Sequence, residues 1–216
     1  MTDAARARQR ERRRLVRLHR YETEARGRGL LHVAGIDEVG RGPLAGPVVA
    51  ACVLTAEPLM LAGLDDSKRV NPERRVELAA EIRARVLGWA VAEASVEEIE
   101  RHNIYWATVL AMERALAALR SAPHFLLIDA IRLKSYGGEQ LPVIGGDAKC
   151  ATIAAASIIA KVHRDALLVE LDARHPEYGF ADHKGYATPR HLAAIAKHGP
   201  CEHHRRGFAP VREALG

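Results

Sequence analysis

Two apolar, partly β-branched runs, Leu30 to Ile36 and Val48 to Leu54, flank a segment that holds Gly40, Gly42, Pro43, Gly46 and Pro47. Runs of this length and makeup, bounded by glycine and proline, are buried strands. They commit the chain to a sheet whose faces must be covered, and the covering elements follow downstream. Pro72 opens a helical stretch, Glu73 to Val86, at the N1 position that proline favours. Trp89 to Ala94 reads as a third strand. Ser95, with Glu98 three residues on, forms a capping box for a helical pattern that continues to Leu119 with a break near Asn103. Phe125 to Ile128 is a short apolar strand that ends at Asp129, and Val143-Ile144 is another. The unbroken, Ala-rich stretch Ala151 to Leu171 predicts a long helix whose small side chains let it lie close on a sheet. Strands first, then strands alternating with helices, predict an α/β fold with a mixed β-sheet flanked by helices.

The periphery differs in character. From Ala4 to Arg26 the chain predicts a basic helix of modest stability, closed by Gly27 and Gly29. Residues 1–28 carry 10 arginines against 4 acids, and the rest carries 22 Lys and Arg against 23 Asp and Glu. The formal charge of +5 thus resides in the arm. A neutral body with a basic arm suits a protein that meets phosphates along one edge; a merely solvated basic helix is the alternative. From His175 the sequence is polar and His-rich, with one helix expected at Pro189 to Lys197. The expected organisation is an arm over 1–29, a body over 30–174 and a C-terminal segment over 175–216.

Cys52, Cys150 and Cys201 form no Cys-x-x-Cys pair and are too scattered for a disulfide framework. No apolar run approaches the roughly 18 residues of a membrane span, and the basic N-terminus lacks the apolar stretch of a signal peptide. A cytoplasmic protein without membrane contact is expected. No long exposed apolar helix stands out, so a monomer is expected as well.

The chemistry gathers where strands end. Asp37-Glu38 closes the first apolar run, and two adjacent acids there repel unless a cation or protons offset them; a solvated turn is the other reading. Asp129 ends a second apolar strand, where a charge serves packing poorly. Asp147 stands just ahead of the long helix, where an acid also reads as an N-terminal cap. Four carboxylates without a cysteine or histidine pattern make a hard oxygen set suited to Mg²⁺ or Mn²⁺ rather than zinc. Such sites hold two ions about 3.5–4 Å apart, one activating water and the other stabilising the leaving oxygen of a phosphodiester. Beside the acids, Gly40-Arg41-Gly42-Pro43 lets backbone groups approach a ligand, and Arg41 can pair with a phosphate. Its spacing fits neither Gly-x-Gly-x-x-Gly nor the Walker pattern.

The segment from Gly35 to Val49, Gly-Ile-Asp-Glu-Val-Gly-Arg-Gly-Pro-Leu-Ala-Gly-Pro-Val-Val, resembles the opening signature of bacterial ribonuclease HII. Matching segments follow in order: Asp66-Ser67-Lys68, Leu127-Ile128-Asp129, Ala154 to Val162 with Arg164-Asp165, His183-Lys184-Gly185-Tyr186 with Thr188, and His203 to Arg206 with Phe208, Pro210 and Val211. The resemblance spans roughly Val33 to Val211. It implies a ribonuclease H-like fold with a small C-terminal helical segment that helps hold the duplex. It also implies that Asp37, Glu38, Asp129 and Asp147 are the metal-binding acids, and that Gly40, Arg41, Gly42 and Tyr186 sense the ribonucleotide 2′-hydroxyl. Ser67, Lys68 and Lys184 fall on the substrate side by the same matches. Two positions depart from the family: Gly145-Gly146-Asp147 replaces Lys-Gly-Asp, losing a positive charge beside the site, and Ala130 stands where glycine is common.

The implied activity is cleavage of the RNA strand of RNA–DNA hybrids, and of duplex DNA 5′ to embedded ribonucleotides, leaving 3′-hydroxyl and 5′-phosphate ends. A junction resolvase of the same broad fold would share the acids but lack the sensor. A non-catalytic nucleic-acid-binding module would gain nothing from four interior acids. Asp165 is a rival fourth ligand, although Lys161 and Arg164 offer it ion pairs. His183, His203 and His204, beside Lys184, Arg205 and Arg206, are expected to meet phosphate or solvent rather than a metal.

Overall fold

A computed structural model describes residues 2–215. Five strands, β1 (Val33–Val39), β2 (Val48–Thr55), β3 (Gly88–Ala94), β4 (Phe125–Asp129) and β5 (Glu139–Val143), form one sheet in the order β3-β2-β1-β4-β5. The helices are α1 (Asp3–Leu18), α2 (Arg20–Gly27), α3 (Pro72–Arg85), α4 (Val96–Ala117), α5 (Ala151–Arg174), α6 (Phe180–His183), α7 (Pro189–His198) and α8 (Ala209–Glu213).

The sheet is mixed, as its sequence predicts. β1 pairs antiparallel with β2, β2 antiparallel with β3, and β1 parallel with β4, which pairs parallel with β5. In the β1–β4 register Ile36 faces Ile128, so Asp37 and Asp129 leave the ends of neighbouring strands together. The alternation of β2 divides the core. Val49, Ala51 and Val53 pack with α3 and α5, whereas Val48, Ala50, Cys52 and Leu54 pack with α4. Both faces are covered, which is why β2 is buried throughout and apolar up to Thr55. On α3, Leu78 and Ile82 are fully buried, each contributing about 1.5–3 kcal/mol through area removed from water.

The position of α5 fixes the site. Gly35 on β1 lies so close to it that a Cβ would stand 2.2 Å from the Thr152 carbonyl carbon. Ala151, Ala154, Ala155 and Ala156 are fully buried against the sheet side. A helix with larger residues there could not approach the strand this closely.

Two expectations need adjustment. The arm is two helices separated at His19, and it packs on the body: Leu15 and Leu18 join the α3–α5 core, and Ala25 packs with Val33 and Ile153. Buried Glu22 of α2 accepts from the Thr152 N–H (2.8 Å) and hydroxyl (2.9 Å), serving the N-terminus of α5. The strand expected at Val143-Ile144 runs instead over Glu139–Val143, leaving Ile144 79 % exposed. As an edge strand it needs no continuous apolar run and tolerates Pro142. The break near Asn103 is a kink within α4, where Asn103 has φ 65°. Short helices α6 and α8 had no periodic signal. Among the described residues no helix is long and apolar enough to cross a membrane.

Candidate active site

Asp37 is buried at the end of β1. Its Oδ1 accepts the Glu38 N–H at 2.8 Å. The Ser157 hydroxyl on α5 bonds to Asp37 and stands 2.9 Å from the hydroxyl of Ser67, which is buried too. Asp129 ends β4, and its Oδ1 accepts the Gly146 N–H at 2.7 Å. Carboxylate oxygens of Asp37, Glu38 and Asp129 lie within 4.8 Å of one another. Ala130, immediately after, holds φ 52°. This left-handed backbone explains why glycine suits the position; alanine there costs roughly 1–2 kcal/mol of strain.

The three acids are poised against one another. Burial, then the charges of Glu38 and Asp129, raise the Asp37 pKa well above the usual carboxylate range. Burial likewise raises Glu38, with Asp129 adding to the rise and Arg41, 3.4 Å from Glu38 Oε1, opposing it. Glu38 Oε2 is buried without a hydrogen-bond partner among the described residues. An orphaned acid oxygen facing an all-oxygen cluster fits a hard divalent cation, which would satisfy the oxygen and offset the repulsion.

Asp147 stands apart from this trio. It lies in a 3-10 turn, Gly146–Ala148, with Oδ1 accepting the Ala148 N–H at 2.9 Å and Oδ2 3.8 Å from Lys68 Nζ. Burial, with Asp66 and Asp129 nearby, raises its pKa. It does not cap α5: Cys150 holds the N-cap position, and Glu22 supplies the acceptor. Asp165 is engaged by Lys161 (2.6 Å) and Arg75 (3.5 Å). The charge missing at Gly145 is partly restored by Lys149, whose Nζ lies 3.8 Å from where a Gly145 Cβ would be.

The loop from Gly40 to Pro47 hangs on two fully buried arginines that sequence reasoning did not single out. Arg205 donates to the carbonyls of Gly40 (2.6 Å), Arg41 (3.0 Å), Pro43 (2.8 Å) and Gly46 (2.7 Å). Arg164 donates to Ala45 (2.9 Å), Pro47 (3.1 Å) and Lys184 (3.0 Å). Burial and the neighbouring Arg164 push the Arg205 pKa down to about 9; its carbonyl acceptors keep it charged at neutral pH. Gly40, at φ 93°, has room for no side chain, because a Cβ would meet Arg164 Nε at 2.2 Å. Neither guanidinium bonds to the Gly42 carbonyl. A Cβ at Gly42 would lie 3.8 Å from Tyr186 Cε1, so this glycine and the exposed tyrosine are neighbours.

Other expected contacts are placed differently. His204, expected to meet phosphate or solvent, is buried, with its Nε2 3.0 Å from His191 Nε2 in an aromatic cluster. Lys184 carries a left-handed backbone and turns its ammonium to the Ala181 carbonyl. Lys68 is exposed. Nothing in residue type marked Arg164 or Arg205 as interior; a basic residue in a polar tail reads as solvated.

Comparison with known proteins shows the family. The family model described as ribonuclease HII matches residues 34–211. Ribonuclease HII of Geobacillus thermodenitrificans (strain NG80-2) is 53% identical over 205 residues, covering 95% of this chain and 79% of the relative. Ribonuclease HII 2 of Methylibium petroleiphilum is 56% identical over 187 residues, covering 87% and 85%. Among solved structures, ribonuclease H2 from Pyrococcus horikoshii OT3 superposes with TM-score 0.73 at 27% identity, covering 85% of this chain and 96% of that one. Ribonuclease HII of Archaeoglobus fulgidus, solved in complex with PCNA, gives 0.66 at 25% identity, with 85% and 97% covered. With a family match over most of its length and relatives at about half identity, the chain belongs to the ribonuclease HII family.

Proposed function

We propose that this protein cuts the RNA strand of RNA–DNA hybrids and hydrolyses duplex DNA on the 5′ side of embedded ribonucleotides, leaving 3′-hydroxyl and 5′-phosphate ends. Its family is one of metal-dependent endoribonucleases of the type 2 ribonuclease H class. The observation that carries the finer reading is the convergence of Asp37, Glu38 and Asp129 within 4.8 Å beside the Gly40-Arg41-Gly42 loop and Tyr186.

In this reading Asp37, Glu38 and Asp129, with Asp147 from the adjoining turn, hold Mg²⁺ or Mn²⁺. Bound there, divalent cations activate the attacking water and stabilise the leaving oxygen. The protein's own groups supply the selection. The Gly42 backbone, left free by the two arginines, meets the 2′-hydroxyl, and Tyr186 stacks beside it. Arg41 and Lys68 reach phosphates. Ser67, bonded to Ser157, keeps Asp37 oriented. The basic arm extends the phosphate track, because Arg17, Arg20 and Lys149 line one groove with Ala148, next to Asp147, while Asp65 in the same groove engages Arg14 and Arg69. A monomeric, cytoplasmic enzyme completes the reading, in keeping with three free cysteines.

The test is incubation with a DNA duplex carrying one internal ribonucleotide, with Mg²⁺, Mn²⁺ or chelator. Cleavage 5′ to the ribonucleotide in metal is expected; no cut there in either metal overturns the reading, and cutting of branched DNA instead favours the resolvase alternative. Tyr186→Ala is expected to lower cleavage at an isolated ribonucleotide by roughly tenfold, the scale of one lost stacking contact. Calorimetric Mn²⁺ affinity should not change in that variant.

The raised carboxylate pKa values give a pH signature. Protons favour the native, metal-free state, so this contribution is full below the ordinary carboxylate pKa and is lost as pH rises through the raised native values of Asp37 and Glu38. Urea midpoints in chelator should therefore fall for the wild type relative to Asp37→Asn as pH rises above the ordinary carboxylate range. Metal affinity should rise over the same interval, since the ligands must lose protons to bind. Parallel midpoints for the two proteins would exclude a strained carboxylate cluster.

A further inference from the structure

On the far side of α5 from its N-terminus, a second group of ligand-bearing side chains converges that the nuclease chemistry does not use. His175 caps the C-terminal end of α5, and the C-terminal segment returns past it with Glu202 and His203. One nitrogen of each histidine and one carboxylate oxygen of Glu202 lie within 4.8 Å of one another. Glu202 Oε1 is 3.5 Å from His175 Nε2 and 3.6 Å from His203 Nε2. The imidazole rings meet edge to face at 5.3 Å and 74° rather than stacking.

These separations are informative. They are longer than good N–H···O hydrogen bonds, so the two histidines hold Glu202 only through weak contacts and all three groups face a common space. Ligands at 2.0–2.1 Å around a tetrahedral ion stand about 3.4 Å apart along each edge, close to the two carboxylate–imidazole separations seen. The other nitrogen of His175 also has a carboxylate beside it, Glu177 Oε1 at 3.6 Å from Nδ1. A carboxylate on the far side of a ligating imidazole fixes its orientation and raises its basicity. Glu97 adds a further negative charge near His203, and Arg174 is the positive group that opposes it.

We propose that His175, Glu202 and His203 form a binding site for a divalent cation of the zinc class, with water completing the coordination. Two imidazoles and one carboxylate favour Zn²⁺, Ni²⁺ or Cu²⁺ over Mg²⁺, the opposite preference to the all-oxygen site. The cation ties the end of α5 to the segment that carries the loop: the His203 carbonyl accepts the Gly46 N–H at 2.9 Å, and Arg205 follows two residues later. The site thus braces the C-terminal segment against the body.

Co²⁺ is the probe, titrated into the untagged full-length chain and into Asp129→Asn. Nitrogen-ligated tetrahedral Co²⁺ absorbs strongly in the visible, and six-coordinate oxygen-ligated Co²⁺ only weakly. The expected result is a saturable strong band, present in both proteins, displaced by Zn²⁺ and not by Mg²⁺. Glu202→Gln, at an exposed position, should weaken Co²⁺ binding by roughly tenfold or more while the unfolding midpoint without metal stays at the wild-type value. Absence of the band, or its persistence in a protein carrying both His175→Gln and His203→Gln, overturns the assignment. Nuclease activity does not enter the readout, so the outcome is separate from that of the proposed cleavage reaction.

Discussion

Asp129→Asn is expected to lower kcat by roughly a thousandfold, about 4 kcal/mol of transition-state stabilisation, while hybrid affinity in fluorescence anisotropy stays near the wild-type value. The reasoning starts from charge. Asp129 sits among Asp37 and Glu38 and contributes to raising the pKa of both. Replacing it by a neutral amide of the same shape removes repulsion in the metal-free protein. The amide oxygen can still accept the Gly146 N–H that Oδ1 now takes at 2.7 Å. The variant should therefore unfold at or above the wild-type urea midpoint in chelator and bind Mn²⁺ more weakly. Loss of activity accompanied by a lowered midpoint and lost duplex binding would instead give Asp129 a scaffolding role and sink its assignment as a metal ligand.

The same residue illustrates what sequence reasoning reaches. An acid that interrupts an apolar strand is visible in one dimension because packing offers no reason for it. That Asp129 stands beside Asp37, however, depends on β4 pairing parallel to β1, a contact between strands about ninety residues apart that hydrophobic patterning does not encode. Helix boundaries carried by local chemistry were legible: Pro72 at N1, the Ser95–Glu98 capping box and the Asn103 break all occur. Features decided by tertiary contact were not. Glu22 reads as one more charge in a polar arm, yet it serves the N-terminus of α5 across 130 residues of chain. Strand β5 was misplaced toward Val143-Ile144 because an edge strand is selected by pairing with β4 and not by apolar content. Arg205 and His204 lie in a tail whose composition suggests solvent, and both are buried.

Arg205→Met is the other large effect expected, and it acts on stability and activity together. All five N–H donors of this guanidinium are used, on the carbonyls of Gly40, Arg41, Pro43 and Gly46. Among the described residues no carboxylate pairs with it; the loop backbone is its counterpart. Methionine fills much of the volume but leaves four carbonyls without those donors, and each buried group left unsatisfied costs about 1–3 kcal/mol. Partial relaxation of the loop brings the expected loss to about 3–5 kcal/mol in urea denaturation, the scale for breaking a buried charged network. Arg205→Lys should recover little of it, because three donors on a point charge cannot span the carbonyls that the planar fork reaches. Arg206→Ala, at the exposed neighbouring position, should stay within about 0.5 kcal/mol of wild type. At temperatures where the variant remains folded, the loosened Gly40–Pro47 loop should lower cleavage at a single ribonucleotide while Mn²⁺ affinity at the strand-end carboxylates holds. A wild-type midpoint for Arg205→Met would mean that the loop keeps its shape without this arginine, and the account of how the sensor is held would fail.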